Sequence, residues 1–179
     1  MRRTTLIASI TFAAAATLAG AQAPAKIAGA RGDFLGNFGQ VEKKFIQLAE
    51  VFPVDKYSYT PGKGVRSVCE VLVHISAENY EMGKAFGAVA APKELANAES
   101  STCYADKPTV VAAMKASFAA IKAGVTNMKD TDLDAPFTLF GSAQARRTWL
   151  LGTAEHAGEH LGQLIAYARV NNITPPWSK

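Results

Sequence analysis

Residues 150–178 read LLGTAEHAGEHLGQLIAYARVNNITPPWS, and this stretch decides the fold. Trp149, Thr153, His156, His160, Leu164 and Tyr167 recur every three or four residues, which lays them along one face of an α-helix. The helix is predicted from about Ala145 to Val170. Asn171 and Asn172 then offer a left-handed cap, and Pro175-Pro176 forbids continuation. His156 and His160 thus stand one turn apart on the inward stripe. A buried polar group left unpaired costs roughly 1–3 kcal/mol, and two stacked imidazoles double the problem. A shared cation resolves it, since each ring gives a lone pair and keeps one N–H for an acceptor.

The chain holds one further histidine, His74, in EVLVHISAENY. Val68, Leu72, Ile75, Asn79, Met82 and Phe86 predict a helix from about Val65 to Phe86 with one apolar stripe. His74 on this helix supplies a third imidazole. His74, His156 and His160 are therefore the expected ligands of a single metal ion with an open coordination position. Glu70 and Glu78 lie one turn before and after His74, within about 40° of its direction. The first expectation for both is a solvated or Lys-paired carboxylate; the alternative is a partner for a ligating imidazole, or an acid or base near the metal. Glu155 and Glu159 point about 100° away from the histidines and read as surface residues. Gln163 reads equally well as a rim residue or a surface amide.

Residues 156–160 are HAGEH, with Ala157 where a zinc-protease helix carries glutamate, so that class of protease is disfavoured. The HxxxH spacing alone is common on helices that bind nothing, and packed histidines are the competing reading. No nucleophile stands out: Ser76 and Tyr80 have no triad context. Tyr57, Tyr59 and Trp177 read as pocket-lining or packing aromatics.

Two more helices complete the pattern. Leu35, Phe38, Val41, Phe45, Leu48 and Phe52 form one stripe, stopped by Pro53. Another is expected from about Lys107 to Met128, with Asp106 as N-cap, Pro108 in the first turn, and Val110, Met114, Phe118, Ile121, Val125 and Met128 as its stripe. Four such helices make an all-α, four-helix bundle. The long connection over residues 87–106 can return the chain along the bundle, so that the second and third helices run parallel. Phe137 to Phe140, between the third and fourth helices, reads as a short extended or irregular patch.

The N-terminus reads as a leader. Arg2 and Arg3 precede an apolar run from Leu6 to Leu18 and then Ala19-Gly20-Ala21, which predicts a signal peptide over 1–21 and a mature domain over 22–179. The run falls short of the roughly 20 residues of a comfortable membrane span. The expected location is periplasmic or secreted, with no membrane attachment after cleavage. The formal net charge is +4, and Arg2 and Arg3 leave with the leader, so the mature chain is nearly neutral. It shows no block of Lys or Arg interleaved with aromatics, so nucleic acid is not an expected partner. Cys69 and Cys103 would meet oxidising conditions; the spacing leaves a disulfide and free thiols both open. Cys69 lies about 140° around its helix from His74, which disfavours it as a co-ligand.

The two stretches FPVDKYSYTPGKGVRSVCEVLVHISAENY (52–80) and LLGTAEHAGEHLGQLIAYARVNNITPPWS (150–178) resemble the DinB/YfiT-like superfamily, and the likeness extends over nearly all of the mature chain. The first resembles the family's loop and first histidine helix, the second its closing HxxxHxGQ helix. The resemblance implies a four-helix bundle of up-down-down-up topology and a divalent metal, zinc or nickel, on three histidines at the positions of His74, His156 and His160. It also implies a homodimer. The family includes transferases and isomerases that use low-molecular-weight thiols, whose metal stabilises the thiolate. Three neutral imidazoles leave the ion's charge uncompensated and favour an anionic fourth ligand. The export signal departs from that pattern, because such thiols are mainly cytosolic. The expectation is an exported DinB-like protein that binds a divalent metal and acts on a small molecule as a thiol transferase or hydrolase. A noncatalytic metal or small-ligand binder of the cell envelope is the alternative.

Overall fold

Capping chemistry sets where two of the four helices begin. The structure, a computed structural model, describes residues 27–96, 103 and 106–178; the expected leader and its cleavage point lie outside them. Helix α1 spans Gly29–Val51, starting six residues before the predicted stripe, and buries Phe34, Phe38, Phe45 and Leu48. Helix α2 spans Val68–Gly83. It opens on a reciprocal box: Ser67 Oγ accepts from the Glu70 amide at 3.3 Å, and Glu70 Oε2 accepts from the Ser67 amide at 2.7 Å. Glu70 is therefore neither a solvated surface charge nor a lysine partner; it holds the helix start. Helix α3 spans Lys107–Asn127, with Asp106 Oδ1 accepting from the Thr109 amide at 3.0 Å as predicted. Helix α4 spans Arg146–Val170, and Asn172 adopts the left-handed conformation after it (φ 58°).

The patch before α4 is a β-hairpin. Strands β1 (Pro136–Leu139) and β2 (Ser142–Ala145) pair antiparallel, with Pro136 opposite Ala145 and Leu139 opposite Ser142. Phe140 and Gly141 make a two-residue turn, both at positive φ (51° and 74°).

Contacts at the helix ends give the directions. Arg31, at the start of α1, donates to the carbonyls of Val125 (3.2 Å) and Met128 at the end of α3. Lys107, at the start of α3, donates to the carbonyls of Glu50 (2.7 Å) and Phe52 (2.6 Å) at the end of α1. α1 and α3 are therefore antiparallel. Cys69 at the start of α2 is bonded to Cys103, just before α3, with Cα atoms 5.4 Å apart. Gly83 at the far end of α2 lies against Ile121, towards the end of α3, so these helices run parallel. Arg146, opening α4, donates to the Ala85 carbonyl at 2.7 Å, and Tyr167 near its end donates to the Arg66 carbonyl at 3.0 Å, so α4 opposes α2. The order is up-down-down-up, with α1 and α2 each packed on both α3 and α4.

The core explains one difference from the sequence reading. From Val68 to Tyr80 every residue of α2 except Glu70 is buried, so α2 has no solvent stripe. Phe38 and Phe45 of α1 meet Phe118 of α3 at ring distances of 4.9 and 5.7 Å. Gly124 lets α3 approach the segment leaving α2, because a Cβ there would sit 2.9 Å from the Phe86 carbonyl oxygen. α3 is long and apolar enough to cross a membrane by length and composition, but here it packs on α1 and α2.

Candidate metal centre

Two antiparallel helices bring the three histidines together. His74 projects from the buried α2 and is 4% exposed, while His156 and His160 come from the half-buried face of α4. The ring centroids are 5.2 Å apart for His74–His156, 4.8 Å for His74–His160 and 4.7 Å for His156–His160. One ring nitrogen from each lies within 4.8 Å of the others. His74 Nε2 and His156 Nε2 are 3.2 Å apart. Two imidazole nitrogens bound at about 2.0–2.1 Å to one tetrahedral ion would be about 3.3–3.4 Å apart. The pair already has that separation, so the donor set fits a small divalent cation.

A relay orients the third ring. His160 Nδ1–H donates to Gln163 Oε1 at 2.8 Å, Gln163 Nε2 donates to the Tyr167 hydroxyl at 2.7 Å, and that hydroxyl donates to the Arg66 carbonyl at 3.0 Å. Each donor has one acceptor, so the chain fixes the His160 tautomer with the lone pair on Nε2. Burial raises the Tyr167 hydroxyl above its ordinary value and keeps it a donor. Gln163 is thus a supporting partner of His160.

Burial, followed by the charges of His160, His74 and Arg66, lowers His156 from 6.5 to about 4. At neutral pH this ring is uncharged and its lone pair is available to a metal.

A cavity of about 320 Å³ opens on the cluster, lined by Arg66, His74, Glu78, Met82, Phe140 and His156. Glu78 is 5% exposed, so the expectation of a solvated carboxylate fails here; the burial of α2 on all sides carries Glu78 inward with His74. Glu155 and Glu159 are exposed as expected. Ser76 Oγ donates to the Leu72 carbonyl at 2.8 Å inside the core, which leaves it no nucleophilic role. Tyr57 packs, donating to the Ala49 carbonyl at 2.6 Å; Tyr59 sits edge-on to Tyr167, and Trp177 lies beneath Lys44. None of these three lines the cavity. Arg66 and Phe140 are cavity residues that the sequence reading does not single out. The S-x-x-E pattern of residues 67–70 would have placed Arg66 just ahead of the histidine helix, whereas Phe140 carries no such local signal.

Solved structures share this architecture. A DinB-like protein from Bacillus cereus is 16% identical with a TM-score of 0.69, covering 82% of this chain and 95% of its own. The DinB-like protein YjoA from Bacillus subtilis is 22% identical with a TM-score of 0.63, covering 79% and 93%. YfiT from Bacillus subtilis, described as a probable metal-dependent hydrolase with an unusual four-helix bundle topology, is 14% identical with a TM-score of 0.66, covering 87% and 97%. No curated protein matches the chain. A family model for the DinB superfamily matches residues 37–164, which takes in most of α1, all of α2 and α3, the hairpin, and all three histidines. On that match, the chain belongs to the DinB superfamily.

Proposed function

We propose that this protein is an exported metal-dependent hydrolase of small molecules, with a divalent ion, zinc or nickel, held by His74, His156 and His160. The convergence of one ring nitrogen from each histidine within 4.8 Å carries the reading. When bound, the ion would supply Lewis-acid polarisation of a substrate oxygen and lower the pKa of water at its open position. The protein does the rest. Gln163 and Tyr167 hold His160 in register, the buried α2 fixes His74, and Glu78 stands one turn beyond His74 to take and return a proton at the cavity wall.

Two observations favour hydrolysis over thiol transfer. Glu78 offers the base that activation of water requires, and the description of YfiT as a probable metal-dependent hydrolase points the same way. Export is supported by the Cys69–Cys103 disulfide, a bond that persists in oxidising compartments.

The test is turnover of ester and amide substrates, beside a thiol-conjugation panel, by zinc- and nickel-loaded protein and by its His160→Ala and Glu78→Gln variants. Hydrolysis that needs metal, vanishes in His160→Ala and falls about 100-fold or more in Glu78→Gln is expected. Thiol conjugation alone would assign a transferase. Bound metal without turnover would assign a noncatalytic binder, and hydrolysis indifferent to His160→Ala would refute the metal mechanism.

A further inference from the structure

The cavity wall carries two groups that metal binding does not need. Arg66 lines the cavity together with His156. Phe140 lines it from the hairpin tip. The residue is 61% exposed, and its backbone sits at φ 51°, a conformation that disfavours a bulky residue. An exposed aromatic at a strained turn is unfavourable on two counts. The hairpin beneath is firmly anchored: Trp149 Nε1 donates to the Phe137 carbonyl at 2.9 Å, and the Arg146 guanidinium lies 5.1 Å over the Phe137 ring. The Phe140 ring, 6.2 Å from the Trp149 ring and edge-on to it, is thereby held at the cavity mouth. Met82, one turn beyond Glu78 on α2, adds a flexible apolar surface.

We propose that this cavity binds a small organic anion with an apolar body, its anionic group paired by the Arg66 guanidinium and its apolar part laid against Phe140 and Met82. A cavity lined by a guanidinium, an aromatic ring and a thioether, with His74 and His156 in the same wall, suits such a ligand. The anionic group docks on Arg66 through charge-assisted hydrogen bonds, and the body covers the exposed ring. The inference rests on the metal reading for where chemistry would occur, but the Arg66 contact is independent of it.

Isothermal titration of the full mature protein, with and without zinc, tests this with phenylacetate as probe and with phenethyl alcohol and acetate as controls. Phenylacetate should bind at least about tenfold more tightly than either control. Arg66→Gln should lose about tenfold or more of that affinity and Arg66→Lys part of it. Phe140→Asn, which tolerates the turn's backbone, should weaken phenylacetate several-fold and leave acetate unchanged. Zinc stoichiometry, measured on every variant, should match wild type, and no variant should melt below it. Equal binding of the alcohol, or affinity unchanged in Arg66→Gln, overturns the inference. Zinc uptake that fails while Arg66-dependent binding persists overturns the metal reading alone; full zinc uptake with binding indifferent to Arg66 overturns this inference alone.

Discussion

At the scale of single residues, the cluster's chemistry depends on keeping imidazoles neutral and aimed. An unfolded histidine takes its proton near pH 6.5, whereas folded His156 takes it at about 4 because burial and neighbouring charge oppose it. A depressed folded value means the contribution to stability is complete above about pH 6.5 and is lost as the pH falls toward 4. Metal-free protein should therefore show a melting temperature that declines over that window, and His156→Gln should flatten the decline. Calorimetric scans across pH read both slopes, and an unchanged slope in the variant would refute the assignment. Gln163 makes a second prediction. Gln163→Leu removes the acceptor for His160 Nδ1–H and should weaken metal affinity about 10–100-fold, with Gln163→Glu restoring most of it. Competition with a chromophoric chelator measures this; equal affinity in the Leu variant would show that the relay has no part in orienting the ring. The histidines themselves were legible because HxxxH on an apolar stripe is a local pattern. The inward turn of Glu78 was not, because it depends on what packs around α2 rather than on any spacing within α2.

At the scale of elements, helix ends carry more information than helix centres. Arg31 reaches from the first turn of α1 to the carbonyls closing α3 and pairs with Asp130 at 2.7 Å, putting positive charge on the negative end of the α3 dipole. Arg31→Ala should destabilise the fold by about 1–3 kcal/mol, as read by urea denaturation, while leaving metal affinity unchanged. Asp106 and Pro108 marked the α3 start in advance, since both act through their nearest neighbours. The start of α2 falls three residues after the Val65 that the sequence predicts. Ser67 and Glu70 decide it, by satisfying each other's backbone amides. The hairpin was read only as an extended patch. Its pairing requires the turn at Phe140-Gly141, and phenylalanine is a poor signal for the positive φ that the turn demands.

At the scale of the molecule, the parallel run of α2 and α3 sets the topology, and the disulfide locks it. Cys69 and Cys103 close a loop with a sequence separation of 34, tying the start of α2 to the approach to α3. Loop-closure entropy of that size is worth about 3–4 kcal/mol, so a Cys69→Ala/Cys103→Ala double variant should lose about 2–4 kcal/mol on denaturation. A loss near zero would show that the unfolded chain gains nothing from the bond's removal. The four helices and their parallel middle pair were readable from stripes and a long connection, but the pairing of the cysteines was not, because it needs a Cα separation that spacing cannot supply. All these scales meet in one claim, that α2 and α4 together hold a single ion. The most direct test is the zinc content of purified protein after equilibration and gel filtration, for wild type beside His74→Ala. The account predicts one zinc per chain in wild type and loss of most of it when the α2 ligand alone is removed. Wild-type protein that retains no zinc, or a His74→Ala variant that retains it fully, would contradict the account.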